Sequence, residues 1–301
     1  MSQVAVLLST YNGEKYLSEQ LDSILAQGGE KASIYVRDDG SNDSTLSLLQ
    51  ARRETDDLEY EAGENIGPAR SFLNLVFSTP EHDFYAYADQ DDIWLPGKLE
   101  RAIASLAEYD PDVPQLYFSN ATNVDAEGTP TGNLLNTQTP PGLGNALVQC
   151  FSIGATMVFN RAARTLLVKS GMPLHMAMHD WWTYLLIASF GKLVYDPEPS
   201  MLYRQHGGNV FGSVGDVEYL RRHWRAVWQS EKMLQGRDQA RDLLSMYHPD
   251  LRDSARQQLE KFTAADLGFN AVLSALHAPV YKQKAAGTLV AKLQWAACSY
   301  R

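Results

Sequence analysis

Three carboxylates fall within four residues at Asp89, Asp91 and Asp92, directly after the strand-like run Phe84–Tyr87. Like charges this close repel one another, so the cluster is unfavourable without a partner of opposite charge. A hard divalent cation removes that cost, because Mg²⁺ and Mn²⁺ prefer carboxylate oxygens, and Mg²⁺ commonly completes its shell with substrate phosphates. The cluster therefore predicts a site for a metal ion and a diphosphate. The alternative is an acidic turn that caps the helix starting near Pro96.

Two further polar loops follow strand-like runs. Val4–Leu8 and Ser33–Arg37 are mostly apolar, as is typical of strands buried in a parallel sheet, and each leads into a polar turn. In open α/β sheets, ligands bind outside the carboxyl ends of the strands. We therefore expect Thr10, Asp39 and Asp91 to lie along one rim although they are far apart in sequence.

The elements that must position these residues alternate along the chain. Strands are predicted at 4–8, 33–37, 58–61 and 84–87, and helices at 14–27, 45–53 and 69–77. This alternation predicts an α/β domain with a largely parallel sheet. Further on we predict a helix to about 109, strands at 116–118 and 156–159, a long loop at 129–144 and a helix at 161–170. The chain looks helical from 217, so a boundary near 212–215 divides a domain at 1–212 from a helical extension at 213–301.

Composition narrows the class of protein. With 301 residues, 45% of them hydrophobic and 21% charged, the chain suits one large globular domain or one domain with an appendage. Its net charge of −10 argues against nucleic acid as a partner. Cys150 and Cys298 cannot form a disulfide framework and suit a reducing compartment. No signal-like segment or membrane-spanning apolar run occurs in the sequence, so we expect a cytoplasmic protein.

Six short segments in order resemble the family 2 glycosyltransferases, which have the GT-A fold. Together they cover roughly the first 210 residues, and the last three most resemble the rhamnosyltransferase-type members. The segments are Leu8–Gly13 (LSTYNG), Arg37–Ser41 (RDDGS), Glu64–Gly67 (ENIG), Ala88–Asp92 (ADQDD), Met178–Trp182 (MHDWW), and Tyr203–His206 (YRQH) followed by Asn209. The resemblance implies a mostly parallel, helix-flanked sheet and a nucleoside diphosphate sugar donor.

The first three segments are expected to hold the donor nucleotide. Thr10 and Tyr11 lie where a loop would cover the base, with an apolar ring face and a polar hydroxyl. The resemblance implies that Asp39 accepts the imide hydrogen of uracil or thymine, and that Arg70 approaches the diphosphate or the base. Each residue also has a structural interpretation. Tyr11 suits a half-buried strand end, Asp39 an Asx turn and Arg70 a solvated helix surface.

Asp89 and Asp91 form the DxD-type pair that the resemblance assigns to metal and sugar-nucleotide binding. We expect Asp91 to be the direct ligand of Mn²⁺ or Mg²⁺, and Asp89 to contact the ribose or the metal. His206 is predicted to complete the metal shell or to touch the diphosphate, with a structural histidine as the alternative. Arg204 is predicted to hold a phosphate.

Asp180 matches the carboxylate that the family uses as a base. Inverting transfer needs such a base on the face of the sugar opposite the leaving group. Trp181 and Trp182 are predicted to line the pocket for the acceptor or the sugar, because indole rings stack on sugar faces. The alternative is that Asp180 caps a helix and both tryptophans are core anchors.

The C-terminal region has two interpretations. The charges after Pro279 are all basic, and Leu289, Val290, Leu293 and Trp295 would give an apolar stripe. This combination suits either docking on an anionic membrane surface or a helix packed on the catalytic domain. Polyprenyl-linked acceptors would make contact with the inner face of the membrane reasonable.

The leading hypothesis is an inverting, metal-dependent glycosyltransferase. It would move a sugar, with L-rhamnose from dTDP-rhamnose as the favoured case, to a hydroxyl of a surface-polysaccharide or lipid-linked glycan acceptor. UDP remains an open alternative to dTDP. The competing hypotheses are a nucleotide-sugar-binding module without catalysis and a Mg²⁺-dependent phosphoryl-transfer enzyme. The sequence has no GxxxxGK[ST] loop, which argues against a kinase or ATPase.

Overall fold

The structure is a computed structural model. It describes residues 2–29, 31–126, 128–135, 139–205, 231–264, 280–282, 288 and 291–292. The strands are β1 (Gln3–Thr10), β2 (Lys31–Asp38), β3 (Leu58–Ala62), β4 (Phe84–Asp89), β5 (Ile93–Trp94), β6 (Gln115–Val124), β7 (Pro130–Asn133), β8 (Val158–Asn160) and β9 (Lys192–Arg204). The helices are α1 (Leu17–Leu25), α2 (Thr45–Arg53), α3 (Pro68–Ser78), α4 (Lys98–Leu106), α5 (Leu143–Ala146), α6 (Arg161–Ser170), α7 (His179–Phe190), α8 (Glu231–Tyr247) and α9 (Asp253–Thr263).

The N-terminal half of the sheet is parallel, in the order β3-β2-β1-β4. Its central strand β1 is a continuous apolar run with no solvent exposure from Val4 to Leu8, as the sequence predicts. The register pairs Thr10 with Asp38 and Ser9 with Asp89. The three polar loops that follow β1, β2 and β4 therefore leave the sheet at one edge, which confirms the predicted rim.

The other half of the sheet is mixed, and its longest strand was not predicted. β9 pairs in parallel with β6 and antiparallel with β5, while β8 runs antiparallel to both β4 and β6. Two register shifts in the β6–β9 ladder, next to Asn120, mark irregular pairing. Prolines at 197 and 199 hide β9 from sequence patterns, because proline cannot donate to a ladder. β9 ends at Arg204, beside the carboxylate cluster.

The predicted long loop at 129–144 is only partly irregular. Pro130–Asn133 forms β7, which pairs antiparallel with β6, and Leu143–Ala146 forms the short helix α5. The register between Thr122 and Asn133 makes this a hairpin, closed by a turn at Gly128 with φ of 88°. Pairing with an already formed strand overrides the weak local propensity of this polar segment.

The described C-terminal helices belong to the same core as the N-terminal half. Residues of α8 and α9 lie in one buried cluster with residues of α3, β4, β6 and α7. They include Ala240, Leu243 and Tyr247 of α8 and Leu259 and Phe262 of α9. The described helices of the extension are thus packed on the N-terminal half, whereas the two interpretations of the region after Pro279 stay predictions. The boundary at 212–215 and residues 289, 290 and 293–301 lie outside the described residues. Among the residues that the structure describes, no helix is long and apolar enough to cross a bilayer.

We predict that Gly191→Ala destabilises the fold. Gly191 ends α7, and a Cβ there would lie 1.8 Å from the carbonyl oxygen of Pro114, which accepts the backbone N–H of Lys192. Relief of this overlap must move backbone, so the free energy of unfolding should fall by about 1–3 kcal/mol in urea denaturation. Gly28→Ala is the control, because no atom lies within 4 Å of its Cβ position. Equal stability of the two variants would contradict the prediction.

Candidate active site

A glutamine joins the loop after β1 to the loop after β4. Oε1 of Gln90 accepts hydrogen bonds from the Thr10 hydroxyl at 2.6 Å and the Tyr11 N–H at 2.8 Å, and its Nε2 donates to the Tyr11 carbonyl at 3.1 Å. Thr10 is 2% exposed, whereas the Tyr11 ring is 45% exposed. Of the two residues predicted to cover a base, Tyr11 offers a free face and Thr10 holds the loop. The positioning role of Gln90 was missed, although it lies inside the DxD motif.

Asp39 is buried in a network at the end of β2. Its Oδ1 accepts from the Arg37 guanidinium and from the Ile66 N–H at 2.9 Å, and its Oδ2 accepts from the Gly67 N–H at 2.9 Å. A carboxylate oxygen can accept two hydrogen bonds, so Oδ2 retains capacity for one more donor. Asp38 instead forms the Asx-type turn, accepting from the N–H groups of Gly40 and Ser41. The turn role therefore falls to Asp38, and Asp39 links β2 to the start of α3.

Arg70 lies on the first turn of α3 and is exposed, as its structural interpretation requires. It also lines a cavity of about 260 Å³ between this turn and the segment that precedes α7. Apolar side chains form most of the opposite wall, among them Leu174, Met176 and Met178. Leu174 is 80% exposed. The cavity thus joins the predicted nucleotide edge to the start of α7.

The carboxylates at the end of β4 occupy distinct environments. Burial raises the pKa of Asp89 to about 7, and the nearby charges of Asp91 and Asp180 add to the rise. Asp92 is 1% exposed, and its Oδ1 accepts the backbone N–H of Arg204 at 3.2 Å. Burial is also the main cause that raises the pKa of Asp92. Asp92 therefore anchors β9, while Asp89 and Asp91 face the site.

Arg204 is held by protein acceptors on all three guanidinium nitrogens. Nε donates to the Asp91 carbonyl at 3.1 Å, Nη1 to the Ala126 carbonyl at 3.1 Å and Nη2 to Glu19 at 2.7 Å. The side chain is 5% exposed, and the guanidinium lies over the Tyr16 ring. Arg204 thus fixes the backbone of the carboxylate loop. Its contact with a phosphate stays a prediction.

Asp180 lies in the first turn of α7, close to the carboxylates of β4. Burial raises its pKa to about 6, and hydrogen bonds from the Trp181 N–H, the Cys150 thiol and the Gly154 N–H oppose that rise. The charge of Asp180 contributes to the raised pKa of Asp89, so the two groups are within electrostatic reach. The fold therefore brings Asp180 within electrostatic reach of Asp89, although about ninety residues separate them in sequence.

Three neighbours of Asp180 were not predicted to contribute. The His179 ring stacks on Phe72 of α3 at a centroid distance of 3.9 Å, and burial lowers the pKa of this histidine to about 3. The Cys150 thiol lies between the Ser152 carbonyl, at 3.2 Å, and Asp180. A Cβ on Gly154 would lie 3.3 Å from that of Asp180, so this glycine allows close approach. No short sequence pattern connects 150–154 with 180, because the contact is tertiary.

Both tryptophans after Asp180 are core anchors. Trp181 is 6% exposed and donates its indole N–H to the Ala146 carbonyl at 2.6 Å. Trp182 has no exposed surface and donates to the Ser170 hydroxyl at 3.3 Å. A ring without an exposed face cannot stack on a sugar. The acceptor-pocket prediction for Trp182 therefore does not hold in this structure, and Trp181 contributes at most an edge.

The donor set fits a hard divalent cation in part. Within the described residues, no three carboxylate, imidazole or thiol groups converge as a preformed metal site. The negative charge of Asp91 nevertheless raises the pKa of Asp89, and a cation would stabilise the ionised form of both carboxylates. One or two carboxylates plus substrate phosphates suffice for Mg²⁺. His206, the other predicted ligand, lies outside the described residues.

We predict that Asp89→Asn stabilises the protein at pH 8 in buffer free of divalent cations. Burial raises the pKa of Asp89 to about 7 in the folded protein, whereas the carboxyl in the unfolded chain has its ordinary pKa of 3.8. The wild-type unfolding free energy should therefore fall as pH rises from about 4 to 7, and the variant should escape that loss, on the order of 4 kcal/mol. Urea denaturation at several pH values measures it. Glu61→Gln on an exposed carboxylate is the control, and parallel curves for Asp89→Asn and wild type would contradict the prediction.

Comparison with known proteins agrees with this geometry. The family model described as "Glycosyl transferase family 2" matches residues 5–165, which include β1 to β8 and the whole carboxylate cluster. A dTDP-rhamnosyl transferase, RfbG of Shigella flexneri, is 28% identical over 222 residues, which cover 68% of this chain and 74% of the relative. An uncharacterized glycosyltransferase of a Nostoc species is 32% identical over 103 residues, covering 34% of this chain and 32% of that protein.

Solved structures show the same fold at low sequence identity. TarS 1-349 of S. aureus in complex with UDP-GlcNAc aligns with a TM-score of 0.57 and 17% identity, covering 99% of this chain and 91% of that one. The mannosyltransferase PcManGT of Pyrobaculum calidifontis, in complex with GDP-Man and Mn²⁺, aligns with a TM-score of 0.52 and 20% identity, covering 99% and 86%. The curled, mostly parallel sheet flanked by helices is the GT-A fold. The chain belongs to glycosyltransferase family 2.

Proposed function

We propose that this chain is an inverting, metal-dependent glycosyltransferase. It would transfer a sugar from a nucleoside diphosphate donor to a hydroxyl of a surface-polysaccharide or lipid-linked glycan acceptor. The observation that carries the proposal is the placement of the Asp180 carboxylate, at the start of α7, within electrostatic reach of Asp89 at the end of β4. One carboxylate would act on the acceptor while its neighbours hold the donor.

The favoured donor is dTDP-L-rhamnose, with UDP as the alternative nucleotide. Support comes from the 28% identical relative, whose name is dTDP-rhamnosyl transferase. The exposed Tyr11 ring offers a stacking surface for a base, and Oδ2 of Asp39 has capacity for one imide N–H. Arg70, at the exposed start of α3, would approach the nucleobase or the diphosphate from the solvent side.

Asp180 would be the general base. A carboxyl with a pKa of about 6 is mostly ionised at neutral pH, yet it is more basic than an ordinary aspartate. The N–H groups of Trp181 and Gly154 orient it, and the stacking of His179 on Phe72 fixes the start of α7. Asp180 would accept the proton of the acceptor hydroxyl as that oxygen attacks the anomeric carbon opposite the departing diphosphate.

Mn²⁺ or Mg²⁺ is the proposed cofactor. Asp91 would be its direct ligand, with Asp89 on the metal or the ribose and His206 as a further candidate. When bound, the metal would supply Lewis-acid assistance to the departure of the nucleoside diphosphate. Two proteins with the same fold have been solved in complex with Mn²⁺, the mannosyltransferase above and GalNAc-T7 with UDP and GalNAc.

We propose a cytoplasmic location, with peripheral contact at the inner face of the membrane where polyprenyl-linked acceptors are found. Basic residues toward the C-terminus, such as Lys282 and Lys292, support attraction to an anionic surface. The cavity beside Arg70 has an apolar wall that includes Met178, two residues before Asp180, and it would offer room for an acceptor. Nucleic acid is not an expected partner of a chain with a net charge of −10.

The decisive test is a donor panel scored by nucleoside diphosphate release in the presence of lipid-linked glycan acceptors. Asp180→Asn should lower kcat by at least about a thousandfold, because the attacking hydroxyl loses its base and amide cannot replace it. Binding of dTDP or UDP, measured by calorimetry, should stay within about twofold of wild type. Turnover close to wild type in this variant would exclude Asp180 as the base.

Asp91→Ala tests the metal separately. Loss of the proposed ligand should weaken Mn²⁺-dependent binding of the nucleoside diphosphate by at least about tenfold, because Asp91 would hold the cation that neutralises the diphosphate. Calorimetry with and without EDTA measures this. Asp125→Ala, outside the carboxylate cluster, is the control and should keep the wild-type response to EDTA. If Asp91→Ala also kept that response, the metal assignment would be wrong.

A further inference from the structure

Helix α8 of the C-terminal extension contacts the segment that directly precedes Asp180. We name residues 171–178, between α6 and α7, the catalytic loop, because it leads directly into His179 and Asp180. The backbone N–H of His175 donates to Oδ2 of Asp242 at 2.7 Å, and the backbone N–H of Ala177 donates to Oε1 of Gln239 at 3.4 Å. Both acceptors are side chains of α8.

These bonds are the main polar restraint on the catalytic loop. Within the described part of the chain, no backbone-to-backbone hydrogen bond involves residues 172–177. The loop is held at its ends, where Gly171 donates to Val168 and Met178 accepts from Trp182. A loop without a ladder of its own takes its conformation from the element packed beside it. For residues 172–177 that element is α8.

Asp242 makes a two-point contact. While Oδ2 accepts the His175 N–H, Oδ1 lies 3.0 Å from Nδ1 of the same residue, so one carboxylate engages both backbone and ring. Asp242 is only 8% exposed, and a buried carboxylate is stable only where its oxygens have such partners. Two bonds to one residue fix its orientation as well as its distance.

Close packing fixes α8 itself against the site. A Cβ on Gly236 would lie 2.2 Å from the Leu147 carbonyl oxygen and 3.4 Å from the Trp181 ring, so the helix backbone touches the residue that follows Asp180. One turn further on, Gln239 and Asp242 face the catalytic loop from the same helix. A helix seated this closely on Trp181 cannot shift without moving the loop or the start of α7.

We propose that Asp242 is a positioning residue for the transfer reaction: through His175 it holds the catalytic loop, and thereby sets the placement of the Asp180 carboxylate. The C-terminal extension is then a working part of the active site. This inference rests on the proposed function, in which Asp180 is the base. It assigns to α8 a task that the sequence pattern of the extension did not suggest.

The test compares Asp242→Ala with Asp242→Asn. Alanine removes both contacts, so kcat for nucleoside diphosphate release should fall by about 10- to 100-fold, the scale of a displacement near one ångström. Calorimetric binding of dTDP and UDP should stay within about twofold, because the loops after β1 and β2 are untouched. Asparagine can still accept the His175 N–H and donate to a neutral Nδ1, so it should restore kcat to within about threefold of wild type.

Asp250→Ala is the matched control. It removes an exposed ion pair, 2.8 Å to Lys169, which also joins this region to α6 but makes no contact with the catalytic loop. Its kcat should equal that of wild type. If Asp242→Ala matched this control, or if it lost nucleotide affinity in parallel with kcat, the positioning role would be overturned.

Hydrogen–deuterium exchange separates this inference from the proposed function. In Asp242→Ala, the peptide spanning residues 172–182 should exchange at least about tenfold faster than in wild type or Asp250→Ala, whatever the donor. Unchanged exchange would overturn the proposal. If no donor supports turnover but exchange accelerates as expected, the proposed reaction fails while the restraint by Asp242 stands.

Discussion

Burial of the Asp89 carboxyl beside like charges is the constraint on which the rest of the site depends. Burial is the main cause that raises the pKa of Asp89 to about 7, and the charges of Asp91 and Asp180 add to it, so the fold disfavours the ionised form of Asp89. The surrounding contacts hold this loop in a fixed position. Gln90 joins the carboxylate loop to the loop after β1, and Arg204 holds its backbone from β9. The proposed cation would stabilise these carboxylates in their ionised form when it binds together with the donor diphosphate.

Helix α3 links the two halves of the proposed reaction. Its entry segment donates two backbone N–H groups to Asp39, on the nucleotide side. One turn into the helix, Phe72 stacks on His179, which adjoins the proposed base. Helix α3 is therefore the one rigid element that sets the distance between the proposed nucleobase-binding loop and Asp180. Rigid placement of this kind is what holds reacting groups in a productive geometry.

The packing of its described residues changes how the extension after 212 is interpreted. Its residues Leu243 and Tyr247 share a core with Phe72 and Trp182, and Asp242 restrains the loop before Asp180. The division into a catalytic domain and an appendage therefore follows the change in composition along the chain, whereas the described helices of the extension pack in the same core as the N-terminal half. Helix α8 supplies buried side chains to the core and accepts hydrogen bonds from the catalytic loop. Its removal would expose the core and release the loop.

The sequence by itself determined the alternation of elements, the parallel half of the sheet, the family and the segments that form the site. Those features are encoded locally: apolar runs mark β1 and β4, an Asn-Gly turn follows β1 and an Asp-rich turn follows β4. Tertiary structure decided the rest, because contacts between distant residues leave no local pattern. Examples are the irregular strand β9 that carries Arg204, the close approach of Gly154 to Asp180, the burial of Trp182 and the bond from Asp242 to His175. Burial and hydrogen-bond partners are properties of the packed chain. The contacts of each side chain therefore decided the roles that the sequence alone left open.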